Sequence, residues 1–181
     1  FELGDLWPAS ISAVGVMGKS FLYRQMERQE LAMYRKSDAI VALTEAFKKD
    51  LVRRNIDGDK IAVVINGVDT WRYGPQDRNL ELATELGITD EFVVGYVGTH
   101  GMAHGLGNVL DAAEIVAQKN PKIRFLLAGA GAERGMLVSE AKRRGLSNVL
   151  FLPMQPKARM PEVWSLCNVA LVHLRDDPTF A

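Results

Sequence analysis

Cysteine is almost absent from this chain. Cys167 stands alone, which excludes an internal disulfide and any thiolate cluster around a metal, and fits a reducing cytoplasm. Placed between Leu166 and an apolar stretch, it reads as a small buried hydrophobe rather than a nucleophile. No apolar run approaches the ~20 residues of a membrane-spanning helix, and no signal peptide is visible. An excess of either charge is also missing. The 22 Lys and Arg balance the 22 Asp and Glu, leaving no basic field to draw in nucleic acid and no acidic tail. With 181 residues the chain exceeds a minimal domain and falls short of two full ones. It begins at Phe1 without a methionine and stops at Ala181 within the phrase LRDDPTFA, so both ends read as cuts.

What is present is organised around residues 91–120. Phe92 to Val97 reads as a buried strand. Gly98, Gly101, Gly105 and Gly107 break the chain into a turn. Leu106, Val109, Leu110, Ala113, Val116 and Ala117 then keep the spacing of one helical face. A strand, a glycine turn and a helix in that order gather unpaired backbone N–H groups and the positive end of a helix dipole around one small volume, which suits a phosphate. The glycines do not form G-x-G-x-x-G, and no acidic residue ends the next strand, KIRFLLAGAG, so a dinucleotide fingerprint is not matched. A plain βα turn remains the alternative.

Before this stretch, Asp5 to Pro8 (DLWP) has the composition of a loop. Lys19 to Lys36 is expected as a long helix that interleaves Arg24, Arg28 and Arg35 with Leu22, Met26 and Met33. That pattern reads either as a basic surface resting on a membrane or as a solvated domain-surface helix, and Glu27 and Glu30 dilute its charge in favour of the second. Ala39 to Leu43 is a short buried strand. Thr44 caps a helix over Glu45 to Arg54, Asn55 to Gly58 turns, and Lys60 to Ile65 is a second buried strand ended by Asn66-Gly67. This is the closing half of a parallel α/β sheet whose opening strands are absent, so it is not expected to bury both sheet faces. Residues 70–90, with Trp71, Tyr73, Gly74, Pro75 and a short helix over Leu80 to Leu86, suit a linker. The expected organisation is therefore 1–69, the linker 70–90, and 91–181.

From Phe92 onward strands and helices alternate. Strand Ile123 to Ala128 leads to a second glycine turn (Gly129, Gly131), a helix over Glu133 to Arg144, and Gly145 as its C-cap. Strand Asn148 to Leu152, helix Met160 to Leu166 and strand Val169 to Leu174 follow. Such alternation implies a parallel sheet whose ligands gather at the carboxyl ends of the strands. The loops at 98–105, 129–131, 153–155 and 175–178 all lie at such ends.

DLWP, SDAIVALTEAFKKDL, VVINGVD, VGYVGTHGMAHGL, FLLAGAG, NVLFLPM and VALVHLRDDPTF, in that order over nearly the whole chain, resemble glycosyltransferase family 4, and within it the transferases of bacterial surface polysaccharide synthesis. The resemblance implies an α/β, GT-B-like fold made of parts of two Rossmann-like parallel-sheet domains. The acceptor domain would be the N-terminal one, and the second would hold the donor. It implies transfer of a sugar from a nucleotide-diphosphate sugar to a glycan or lipid-linked acceptor, with retention of configuration. No metal and no cofactor beyond the donor would take part. The setting would be the cytoplasm, at the inner face of the membrane if peripheral membrane contact is made.

By the same resemblance, Gly98, Thr99, His100, Gly101, His104 and Gly105 would meet the donor diphosphate. Many family members hold an arginine and a lysine in this turn, where this chain has Thr99 and His104. Either backbone amides supply more of the stabilisation, or protonated His100 and His104 do. Gly129, Gly131, Met154 and Gln155 would lie against the nucleotide or sugar. Asp5, Trp7, Asn66 and Gly67 would lie at the cleft on the acceptor side. For Asn66-Gly67 a type I′ or Asx turn also accounts for the residues without a ligand. The catalytic residues stay unassigned: the two glutamates of the family's E-x7-E signature would come after Ala181, and adjacent Asp176 and Asp177 point apart and do not replace them. The chain by itself is accordingly expected to bind nucleoside diphosphate weakly and not to transfer sugar. A nucleotide-sugar 2-epimerase on the same scaffold and a non-catalytic nucleotide-binding module remain as alternatives.

Overall fold

The structure, a computed structural model, describes residues 1–15, 17, 18 and 20–177. The chain divides into two compact units, Phe1–Val68 with the chain end from Asp176, and Asp69–Arg175. Each is built on its own parallel sheet.

In the first unit, β1 (Glu2–Leu3), β2 (Ile40–Ala42) and β3 (Ile61–Val63) pair in that order, with α1 (Ala9–Ala13), α2 (Phe21–Lys36) and α3 (Glu45–Arg53) between them. Ser20 and Thr44 cap α2 and α3 by accepting the amides of Tyr23 and Phe47. One face of the sheet is covered by a cluster that includes Leu3, Tyr34, Ile40, Ala42, Leu51 and Ile61. The other face is left open. Ala62 and Val64, which alternate with buried Ile61 along this strand, are exposed, Val64 to 56%, as expected for a sheet that cannot cover both faces. Inside α2 the buried residues are Tyr23, Glu30 and Tyr34, while Leu22 and Met33 are exposed. Tyr34 donates to Glu30 at 2.7 Å, and Arg54 from the end of α3 pairs with Glu30 and lies 3.7 Å from Glu27. The two glutamates expected to dilute the charge of α2 are thus engaged by a cation from another helix. The first helical residue expected there, Lys19, lies outside the described residues.

In the second unit, α4 (Leu80–Glu85) precedes β4 (Phe92–Val97), α5 (Gly107–Lys119), β5 (Ile123–Ala128), α6 (Arg134–Arg143), β6 (Val149–Leu152), α7 (Met160–Ser165) and β7 (Val169–Ala170). The strand order is β6-β5-β4-β7, all parallel. Alternation along β5 shows how both faces are buried. Phe125 and Leu127 join Leu110, Ala113 and Leu137 on the α5–α6 side; Leu126 and Ala128 join Leu82, Ile88, Val163 and Leu166 on the α4–α7 side. A strand covered on both sides must be apolar at every position, which is why FLLA reads as a continuous run.

Three expectations are corrected. The stretch 70–90 is not a free linker: Leu82, Ala83 and Ile88 are buried in the second unit's core, because the second sheet face needs a cover. The strand expected over Val169 to Leu174 ends at Ala170, since only Leu171 continues the ladder, donating to Gly95, before the chain turns away. Asn66 and Gly67 form no type I′ turn, because neither has positive φ.

At the base of β4, Glu91 accepts from the amide of Thr89 at 2.7 Å and from the Arg124 guanidinium at 3.2 Å. The Thr89 amide, with help from Glu91's own amide, the Thr89 hydroxyl and Arg124, holds the carboxyl down to about 2 from an ordinary 4.5. The folded pKa lies below the unfolded one, so between those values the unfolded chain binds the extra proton and stability falls as pH drops. Glu91→Gln is expected to flatten the fall in thermal midpoint between pH 4.5 and pH 2. An unchanged slope in that variant would show that Glu91 is not its source.

Candidate functional site

Two glycine turns at the carboxyl ends of β4 and β5 are built against each other. Gly98 donates to Ala128 at 3.0 Å, His100 to Ala130 at 2.8 Å, and Glu133 back to the carbonyl of His100 at 2.9 Å. Gly129 (φ 148°) and Gly131 (φ 155°) are required here. A Cβ on the first would overlap the carbonyl oxygen of Gly98, and on the second that of His100.

The helices that follow these turns begin differently from those of the first unit. Of the four longest described helices, α2 and α3 have a side-chain cap and α5 and α6 have none. In the turn itself the amides of Thr99, Gly101 and Gly105 find no acceptor among the described residues. These unpaired loop amides precede a 13-residue helix, a placement that suits an anion.

Beside them lies a cavity of about 260 Å³ lined by Val97, Gly98, Thr99, Ala128, Gly129, Ala130, Met154, Gln155 and Met160. Five residues expected at the site therefore meet in one place: Gly98, Thr99, Gly129, Met154 and Gln155. Met154 is 74% exposed at the rim. Gln155 is committed elsewhere, donating to the Pro153 carbonyl at 2.9 Å and accepting from Arg159. Its backbone, rather than its amide, is left for a ligand. Gly101, His104 and Gly105 lie on the turn but not on the cavity wall, and Gly131 packs beneath His100.

His100 requires a correction. Its side chain is fully buried beside the rings of Tyr96 and Phe151, and neither nitrogen has a partner among the described residues. Burial, reinforced by the charge of Arg134 and by His104, pushes its pKa below the ordinary value. A neutral, enclosed imidazole supplies no charge to a phosphate; the turn uses this residue through its backbone. Cys167, expected as a buried hydrophobe, is half-buried against the α4–α7 side of the sheet. It packs on Gly95, where a Cβ would strike its sulfur, and burial pushes the thiol up to about 11.

The residues expected on the acceptor side belong to the first unit. Asp5 accepts from the Ser10 hydroxyl at 2.9 Å, Trp7 is partly exposed ahead of buried Pro8, and Asn66 and Gly67 are exposed. Of the loop expected at 175–178, Pro178 lies outside the described residues. Arg175, from the loop expected at these strand ends, bonds to the turn after β4 through its amide, which donates to the Ala103 carbonyl at 2.9 Å; sequence reasoning missed His173, whose Nδ1 lies 2.6 Å from the His104 carbonyl. The signal available was that a strand following β6 returns beside β4 in a doubly wound sheet.

Comparison with known proteins follows the two units. The family model described as "Glycosyltransferase Family 4" matches residues 14–72, and the one described as "Glycosyl transferases group 1" matches residues 77–179, more than half of the chain. The chain is 26% identical over 160 residues to an alpha-galactosylglucosyldiacylglycerol synthase of Streptococcus pneumoniae (84% of this chain, 42% of that protein). It is 31% identical over 159 residues to a D-inositol 3-phosphate glycosyltransferase of Rhodococcus opacus (82% of this chain, 35% of that protein). The chain therefore spans well under half the length of these curated relatives. Among solved structures, Anabaena Alr3699/HepE in complex with UDP superposes with a TM-score of 0.72 at 20% identity, covering 93% of this chain and 44% of the other. WaaG, a glycosyltransferase of lipopolysaccharide biosynthesis, gives 0.71 at 18% identity over 98% and 50%. These neighbours are GT-B glycosyltransferases, and the two parallel-sheet units are parts of that fold.

The unpaired imidazole generates a prediction. His100→Leu, of similar volume, removes two buried nitrogens without partners and is expected to leave the protein as stable or more stable near pH 7. In the parent chain the unfolded histidine binds a proton that the buried one resists, so stability falls below an ordinary pKa of 6.5. The variant is expected to lose that component in denaturant titrations at pH 7 and pH 5.5. A large loss of stability at both values would show that the imidazole has a partner after all.

Proposed function

The chain belongs to the glycosyl transferases group 1 family, and on that premise we propose that it carries the donor-binding part of an enzyme moving a sugar from a nucleoside-diphosphate sugar to a glycan or lipid-linked acceptor, with retention of anomeric configuration. The observation that carries this reading is the cavity of about 260 Å³ at the ends of β4, β5 and β6, whose wall includes Thr99, with its unpaired amide, from the turn that also leaves the amides of Gly101 and Gly105 unpaired. A base is flat and apolar on its faces, and Val97, Ala128, Met154 and Met160 offer surfaces of that kind. A diphosphate needs donors and gains charge as the sugar leaves. Preorganised amides at a helix start stabilise that developing charge without rearrangement. Neither a metal nor a further cofactor is part of this reading.

The Anabaena neighbour was solved with UDP, and UDP is the first ligand to test on this chain. For the acceptor, exposed Phe21 and Leu22 beside Arg24 and Arg28 give α2 the composition of a helix that rests on an anionic lipid surface, which supports a lipid-linked acceptor at the cytoplasmic face of a membrane.

Calorimetric titration with UDP, GDP and ADP is expected to give binding by one of them at about 0.1–1 mM, roughly −4 to −5.5 kcal/mol. Met154→Asp, which sets a carboxylate at the cavity rim, is expected to weaken that binding about tenfold. Silence toward all three nucleotides ends the donor-site reading. With the full-length enzyme, a nucleotide sugar and an acceptor, product NMR should show the donor's anomeric configuration retained; an epimerised nucleotide sugar without transfer would put a different reaction on this scaffold.

A further inference from the structure

The turn from Gly98 to Gly105 contains no lysine or arginine. Its basic side chains are those of His100 and His104. His100 is enclosed and neutral, and the His104 ring packs edge-on against Tyr96 at 5.8 Å. Arg134, on the first turn of α6, has its Nε buried. A diphosphate bound at the turn would find no guanidinium or ammonium group within the turn itself.

The strand order identifies a segment beside it. β4, β5 and β6 run outward to one side, and β7 returns to the other side of β4, so the sheet reverses direction between β4 and β7. At such a reversal the two outgoing chains leave a crevice at the carboxyl ends of the strands. The chain leaving β7 is fastened there. The amide of Arg175 donates to Ala103 at 2.9 Å, and His173 Nδ1 lies 2.6 Å from the His104 carbonyl. A carbonyl only accepts, so Nδ1 of His173 carries the proton. The aliphatic stem of Arg175 lies across Gly105, where a Cβ would stand 3.0 Å from Arg175 Cγ and 3.4 Å from His173 Cε1. Gly105 has φ 55° and directly precedes the N-cap of α5. Arg175 is exposed and has no ion-pair partner among the described residues.

We propose that Arg175, delivered from the segment after β7, is the cation that meets the donor diphosphate at the turn after β4, with His173 as the residue that positions it. This rests on the nucleoside-diphosphate reading above. An arginine can give two parallel N–H donors to a phosphate, and a carbonyl-anchored histidine two residues earlier restricts where its stem can lie.

The full chain and its Arg175→Gln, Arg175→Lys, His173→Ala and His173→Asn variants would be titrated with UDP, UMP and uridine, with thermal melts confirming that each is folded. The parent is expected to prefer UDP over uridine. Arg175→Gln should lower UDP affinity about tenfold or more and leave uridine unchanged, with Arg175→Lys falling between. His173→Ala should lose UDP affinity in the same direction, and His173→Asn, whose amide can take the place of Nδ1–H, should recover it. If the parent prefers UDP but Arg175→Gln keeps that preference in full, the arginine role is overturned and the nucleotide reading survives. If the parent binds uridine and UDP alike, or binds none of UDP, GDP and ADP, both fall; if it binds GDP or ADP in place of UDP, the same comparison with that diphosphate and its nucleoside decides the arginine role.

Discussion

Main chain pressed against main chain is the constraint on which the second unit's site depends. Gly129 and Gly131 lie so close to the carbonyls of Gly98 and His100 that no side chain fits between them. Three further bonds, from Gly98, His100 and Glu133, join the same segments. The turns after β4 and β5 therefore behave as one rigid surface rather than as two loops. Rigidity matters because amides that must not reorganise when charge develops are worth more than amides that must be ordered first.

That surface carries an energetic cost, visible in His100. Burying an imidazole with neither nitrogen paired is unfavourable, and its depressed pKa reports the same desolvation. The cost is offset by packing around it. Tyr96 contributes a ring beside His100, a hydroxyl bond of 2.7 Å to the carbonyl of Thr99, and burial in the α5–α6 core. The residue that stiffens the turn is thus part of the hydrophobic core, so site geometry and domain stability are coupled through one side chain.

The two units differ in how completely they are packed. The second sheet has helices on both faces and a continuous apolar β5. The first has one buried face and leaves Val64, Ile65 and Val68 exposed. A buried Glu30, paired with Arg54 and held by Tyr34, joins α2 to α3 there. Such a pair adds little net stability over apolar packing, but it fixes which residues face each other, and losing one partner would leave a buried charge.

The sequence alone determined the alternation of strands and helices, the bounds of β4 and β5, the caps at Thr44 and Gly145, and the positions of the glycine turns. Each is a local property: strand periodicity, cap chemistry and the steric freedom of glycine act over a few residues. Family resemblance extended this to the cavity, since Gly98, Thr99, Gly129, Met154 and Gln155 do converge. Only the tertiary structure decided that His100 is enclosed rather than charged, that Leu82 and Ile88 are core rather than linker, and that His173 leaves the expected strand to bond, like Arg175 after it, with the turn after β4. The physical reason is the same in each case. Burial and charge state are set by what lies across the sheet, in these instances tens of residues away along the chain, and no local pattern encodes which distant segment will arrive there.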